Sequence, residues 1–138
     1  MKAATIPVQK PRAVLKEWME SLDSLSDQVT SWVQVVPGWR VVRSPKEIAE
    51  KRYGTYTVEV LTIEDEDGRQ VRLEPIARDT LGGQGSVELY AWPTLYRVHL
   101  LPSAGGAAWD VLTDSGIKLR QPWDCDSFIT LAQDLMAA

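Results

Sequence analysis

The residues of this 138-residue chain that could move a proton or fix an ion gather in one short span. Ser86 to Pro102 reads SVELYAWPTLYRVHLLP and carries Glu88, Tyr90, Trp92, Arg97 and His99 among alternating apolar residues. Period-2 alternation predicts two antiparallel strands joined at a Trp-Pro-Thr corner. Val87, Leu89 and Ala91, with Tyr96, Val98 and Leu100, would then face a core. Glu88, Tyr90, Arg97 and His99 would share the opposite face, and Trp92 would sit at the corner. Such a set offers two kinds of chemistry. His99 beside a carboxylate is a general acid or base at neutral pH. The same groups also make ordinary cross-strand ion pairs on a solvated face. No serine or cysteine is placed beside His99 by the pattern, so no nucleophile and no catalytic residue is assigned. The expected binding set is Glu88, Tyr90, Trp92, Arg97 and His99.

Ion and cofactor chemistry finds less support. Glu59, Glu74 and Glu88 on adjacent strands suggest a carboxylate site for Mg²⁺ beside a phosphate. The lysine expected to accompany it is missing, since residues 55–138 hold only Lys118. The loop Leu81-Gly82-Gly83-Gln84-Gly85 lacks the lysine and hydroxyl of a P-loop and precedes a strand. The acidic tip Glu64, Asp65, Glu66, Asp67 lacks the spaced twelve-residue calcium pattern and reads as a solvated hairpin turn. One cysteine, Cys125, and one histidine, His99, leave no cysteine or histidine cluster for zinc or haem. No metal and no cofactor is expected.

The elements that must position these residues follow from hydrophobic spacing. Residues 1–10 read as a flexible arm, and 11–138 as a single α+β domain. From Pro11, the residues Leu15, Trp18, Leu22, Leu25, Val29, Trp32 and Val36 recur every three or four positions, which predicts a long amphipathic helix. The β-branched run Val29 to Val36 leaves open whether the helix ends near Asp27 and gives way to a strand. Trp39 to Arg43 reads as extended. Ser44-Pro45-Lys46-Glu47 has capping-box form, predicting a short helix from Pro45 to about Arg52 that ends at Gly54. Thr55–Ile63 and Arg69–Arg78 read as a hairpin closed by Asp67-Gly68, with a bulge or edge at Pro75. On that hairpin Tyr56, Val58, Val60, Val71, Leu73 and Ala77 are expected inward. Glu59, Arg72, Glu74 and Arg78 are expected outward, joined there by Asp110. After the Ser86–Pro102 pair come a strand over Ala108–Thr113, a short one over Ile117–Leu119, and a helix from about Cys125 to Met136 capped by Asp124 or Asp126. The expected fold is an antiparallel β-meander of five to six strands with N-terminal and C-terminal helices packed on one face.

Charge and aromatic content narrow the partners. The formal net charge is -4, divided as +3 over residues 1–54 and -7 over residues 55–138. An acidic sheet region with dispersed lysine and arginine disfavours nucleic acid. No apolar run reaches membrane-spanning length and no secretory h-region is visible, so a soluble, cytoplasmic protein is expected. Six tryptophans are many for this length. Trp39, Trp92 and Trp123 fall at element ends, where tryptophan either lids the core or anchors a partner. The function expected is a protein-protein interaction module that uses an acidic, Trp-rimmed sheet face. The alternative is a small enzyme or ligand-binding domain with a polar pocket around Glu88, Arg97 and His99. Self-association through the first helix, as a coiled-coil seam, is a further route to a dimer.

Overall fold

The computed structural model describes residues 10–80, 85–91, 97–102, 109–113 and 123–137. Its elements run α1 (Pro11–Val33), β1 (Arg40–Glu50), β2 (Gly54–Glu64), β3 (Gln70–Ala77), β4 (Ser86–Tyr90), β5 (Arg97–Pro102), β6 (Trp109–Thr113) and α2 (Cys125–Ala137). The six strands form one antiparallel sheet in chain order, β1-β2-β3-β4-β5-β6. The expected α+β meander is therefore the architecture. Residues 1–9 of the expected arm and the expected final strand over Ile117–Leu119 lie outside the described residues, as does the Trp-Pro-Thr corner; Lys10 stands at the N-cap of α1.

Helix α1 opens with Pro11 at a position where a missing N–H costs nothing. It continues unbroken to Val33, so the β-branched run begins as helix. Burial of Val29 and Val33 against the sheet outweighs their weak helix propensity. The buried stripe is Val14, Trp18, Leu22, Leu25, Val29 and Val33, with Leu15, Met19 and Trp32 flanking it. This stripe faces the sheet and α2 within the same chain, which occupies the surface that a coiled-coil seam would need. Asp124 caps α2: its carboxylate accepts from the Ser127 amide at 2.8 Å. The α2 stripe Phe128, Leu131, Ala132, Leu135 and Met136 is buried as the spacing predicts. Neither helix is long and apolar enough to cross a membrane.

The segment Pro45–Arg52 is not a helix. Residues Arg40 to Glu50 form one edge strand paired in continuous register with β2, from Arg40 opposite Glu64 to Glu50 opposite Gly54. A ladder of this length outweighs a local capping pattern, and an edge strand tolerates Pro45 because one side of it needs no amide donor. Gly54, which would end a helix, has φ +75° and instead closes a three-residue hairpin loop that requires a left-handed residue.

Strand β2 also departs from the expected inner face. Tyr56 and Val58 are buried, but Val60 is only partly so, and farther along Leu61 and Ile63 are the core residues. The buried side switches parity between Val58 and Leu61 while pairing with β1 stays in register. It does so opposite Ser44 and Pro45, so the β1–β2 ribbon turns there. Beyond this point the inner face is regular: Leu61, Ile63, Val71, Leu73, Val87, Leu89, Val98, Leu100 and Val111 line the core beneath α1 and α2. The expected irregularity at Pro75 is present as a register shift between Pro75 and Ala77.

Candidate functional site

With both helices on one face, the opposite face of β3, β4 and β5 is covered by neither helix; on it Arg72 is exposed, Glu74, Glu88, Arg97 and His99 are half-buried, and Tyr90 is buried. Register builds two lateral rows there. Arg72 on β3 lies opposite Tyr90 on β4, which lies opposite Arg97 on β5. One step along, Glu74 lies opposite Glu88, Glu88 opposite His99, and His99 opposite Leu112 of β6. A basic row thus runs beside an acidic one, both fixed by the alternation that buries Leu73, Leu89 and Val98 on the other side.

Within the basic row, Tyr90 is the fixed member. The Arg97 guanidinium carbon stands 4.1 Å from the Tyr90 ring centroid, a cation–π contact. The Tyr90 hydroxyl donates to Glu74 Oε1 at 2.5 Å. The other Glu74 oxygen accepts from Lys46 Nζ at 2.6 Å, and Lys46 also donates to the Pro75 carbonyl at 2.9 Å. Burial, followed by the bond to Glu74, raises the Tyr90 phenol above its ordinary value. Burial alone would raise the Glu74 carboxyl, but the hydrogen bonds from Lys46 and Tyr90 and the charges of Lys46 and Arg72 hold it below its ordinary value. The pair is therefore a protonated donor and an ionised acceptor at neutral pH, a static bond that orients the ring.

The acidic row is less tightly knit. Glu88 Oε1 lies 3.6 Å from Arg97 Nε. No hydrogen bond or ion pair joins the His99 side chain to another described residue, although its backbone pairs with β4 and β6. Arg72 has no carboxylate within ion-pair distance among the described residues, and it is exposed. Gln70, Arg72, Tyr90 and Arg97 line a hollow of about 460 Å³. Of the expected binding set, the strands bring Glu88, Tyr90, Arg97 and His99 onto one face, and Tyr90 and Arg97 into the hollow. Trp92 lies outside the described residues.

Two side chains, Glu59 and Lys46, stand elsewhere than the sequence places them. Glu59 does not join the outer row; it faces α1, where its carboxylate lies 3.6 Å from Arg43 Nη1. Its parity changes with the turn of the ribbon, so Glu59, Glu74 and Glu88 do not converge on a common ion site. Lys46, assigned to a helix from sequence, is the cation that holds Glu74. Gln70 and Arg72 complete the hollow, and their signal was the i, i+2 spacing along β3. The acidic tip is internally engaged: the Asp65 carboxylate is nearly buried and accepts from the amides of Asp67 and Arg69 and from Arg69 Nε, each at 2.8–2.9 Å. Among the described residues no group of three or more His, Cys, Asp or Glu side chains is arranged to hold a metal ion.

The described tryptophans belong to the helix side. Trp18 packs on Trp109 with ring centroids 6.1 Å apart, and Trp32 packs on Trp123 and Phe128 at 5.3 and 5.8 Å. Trp39 also packs against the core. A second hollow, about 260 Å³, lies between α1 and the β1–β2 ribbon beside Leu22, Ser26, Pro45 and Val58. Its cation is already engaged, because Arg43 bonds Asp27 Oδ1 at 3.0 Å and Thr30 Oγ1 at 2.8 Å. Comparison with known proteins gives no match to this chain among family models, curated proteins or solved structures.

Proposed function

We propose that this protein is an interaction module that binds another protein through the outer face of β3, β4 and β5. The observation that carries this reading is the Arg72–Tyr90–Arg97 row, held rigid by Tyr90 and Glu74 beside an open hollow and left uncovered by both helices. An oriented aromatic with flanking arginines is the composition from which interface hot spots are drawn. The phenol and carboxylate are committed to each other in fixed protonation states, which suits recognition better than proton transfer.

The test is capture from native lysate by the tagged protein and by the double variant Arg72→Glu, Arg97→Glu, followed by purification of the protein retained by the parent alone. A stoichiometric complex in sedimentation, with amide exchange slowed in β3 to β5, supports the module. Protection confined to α1 and α2, or equal capture by the variant, overturns it.

The alternative, a small enzyme or ligand-binding domain around Glu88, Arg97 and His99, draws on the direct opposition of Glu88 and His99, whose side chain bonds no other described residue. It requires a small molecule whose binding shifts the His99 ring resonances and is lost in His99→Asn.

A further inference from the structure

We infer that the hollow between Arg72 and Arg97 takes the carboxylate of an aspartate or glutamate side chain on an extended partner segment. This rests on the interaction-module reading and names the chemistry of its contact. The two guanidiniums stand on β3 and β5, with Tyr90 of β4 between them. Two inter-strand steps separate their backbones by about 10 Å, a span that two arginine side chains close from either side around one small anion.

Their hydrogen-bonding capacity is unequally committed. Arg97 turns its Nε edge to Glu88 at 3.6 Å and lays its face on Tyr90, which leaves its terminal nitrogens for another acceptor. Arg72 has no carboxylate partner among the described residues. A guanidinium without a carboxylate beside an oriented one is a fork for a planar, two-oxygen acceptor. The Gln70 amide at the rim supplies one further donor and acceptor, suited to the backbone of an extended segment.

Charge selects among anions. Arg72, Arg97 and Lys46 face Glu74 and Glu88, so these five groups leave one net positive charge. A singly charged carboxylate matches that surplus. A dianionic phosphate exceeds it and meets Glu74 and Glu88 behind the arginines. A nucleic-acid backbone would in addition meet Glu64, which borders Gln70 and accepts from its amide at 3.0 Å.

The experiment follows the arginine Nε–Hε resonances of the full chain. Four probes are titrated: Nα-acetyl-glutamate α-amide, its glutamine counterpart, acetyl-alanine with its chain-end carboxylate, and inorganic phosphate. Saturable shifts at Arg72 and Arg97 with the capped glutamate, none with the glutamine probe, and a silent Arg43 on the other face are expected. Arg72→Gln is expected to weaken that binding about tenfold, and Arg72→Lys, which keeps the charge without the fork, by less. Tighter binding of phosphate or of acetyl-alanine overturns the side-chain carboxylate, as does a response that never saturates or that Arg43 shares. The two readings fail separately. If the Arg72→Glu, Arg97→Glu protein loses its captured partner while the capped glutamate leaves the parent unshifted, the carboxylate is wrong and the module stands. If the probe binds and the double variant still captures the partner, the module is wrong.

Discussion

Gly85→Ala is expected to be among the most damaging one-carbon changes in the chain, and its cost has two separable parts. Gly85 stands immediately before β4 with φ +102°, a conformation in which a Cβ costs roughly 1–2 kcal/mol. A Cβ there would also lie 2.6 Å from Cζ3 and 2.8 Å from Cη2 of Trp18. Trp18 cannot easily retreat, because it is 3% exposed and its ring packs on Trp109. Forcing one carbon into such a site costs about 1–3 kcal/mol more. The sum is about 2–5 kcal/mol, within the stability of a domain this size, so the variant folds. Gly54 supplies the control: φ is +75° and nothing lies within 4 Å of an added Cβ, so Gly54→Ala bears the dihedral cost alone. In urea unfolding, Gly85→Ala should lower the midpoint by roughly 1 M or more at unchanged slope, well beyond Gly54→Ala. In a Trp18→Leu background the Gly85→Ala penalty should shrink by about 1 kcal/mol or more, since the ring it meets is gone. Equal costs for the two glycine variants, or no coupling to Trp18, would refute the close approach of β4 to α1.

Two further outcomes follow from the packing. The folded-state pKa of Glu74 is depressed, so its contribution to stability is present above the ordinary value of 4.5 and is lost as pH falls through the lower folded value. Glu74→Gln should therefore unfold at lower urea than the parent at pH 7, with the gap closing towards pH 3. Leu22 and Leu25 are 5% and 2% exposed against the core, so Leu22→Asp with Leu25→Asp should abolish near-UV circular dichroism and amide dispersion. A folded monomer recovered from a dimeric parent would instead mean that the helix packs against a second copy.

The long periodic segments were legible because their burial is one-sided. Both helices and the strand pair around Glu88 and His99 follow from apolar spacing, and Pro75 marks its own irregularity. The misreadings share a cause: a local pattern that a non-local contact outweighs. Ser44-Pro45-Lys46-Glu47 has the form of a helix start, and Gly54 that of a helix end. Yet the same proline and glycine serve an edge strand and its hairpin loop once β2 lies alongside. Glu59 was misplaced because alternation within β2 does not reveal the turn of the ribbon between Val58 and Leu61. That turn is a property of two strands together. Lys46 was hidden by the same error, since no helix would carry it to Glu74.

The site itself depends on register more than on any one side chain. Glu74 meets Glu88 one residue before the shift between Pro75 and Ala77, and Arg72 meets Tyr90 two residues before Glu74. A slip of β3 by one residue against β2 and β4 would send Val71 and Leu73 outward and bring Arg72 and Glu74 under the helices. The cost of burying those charges unpaired makes the slipped state inaccessible. The apolar inner face therefore fixes the outer row, and Lys46 reinforces it from β1 by bonding both the Glu74 carboxylate and the Pro75 carbonyl at the shift. Tyr90 then transmits that anchoring to Arg97 through its ring. Arg72, opposite Tyr90, joins the row through its charge, which acts on both Glu74 and Tyr90, and it has no carboxylate within ion-pair distance among the described residues.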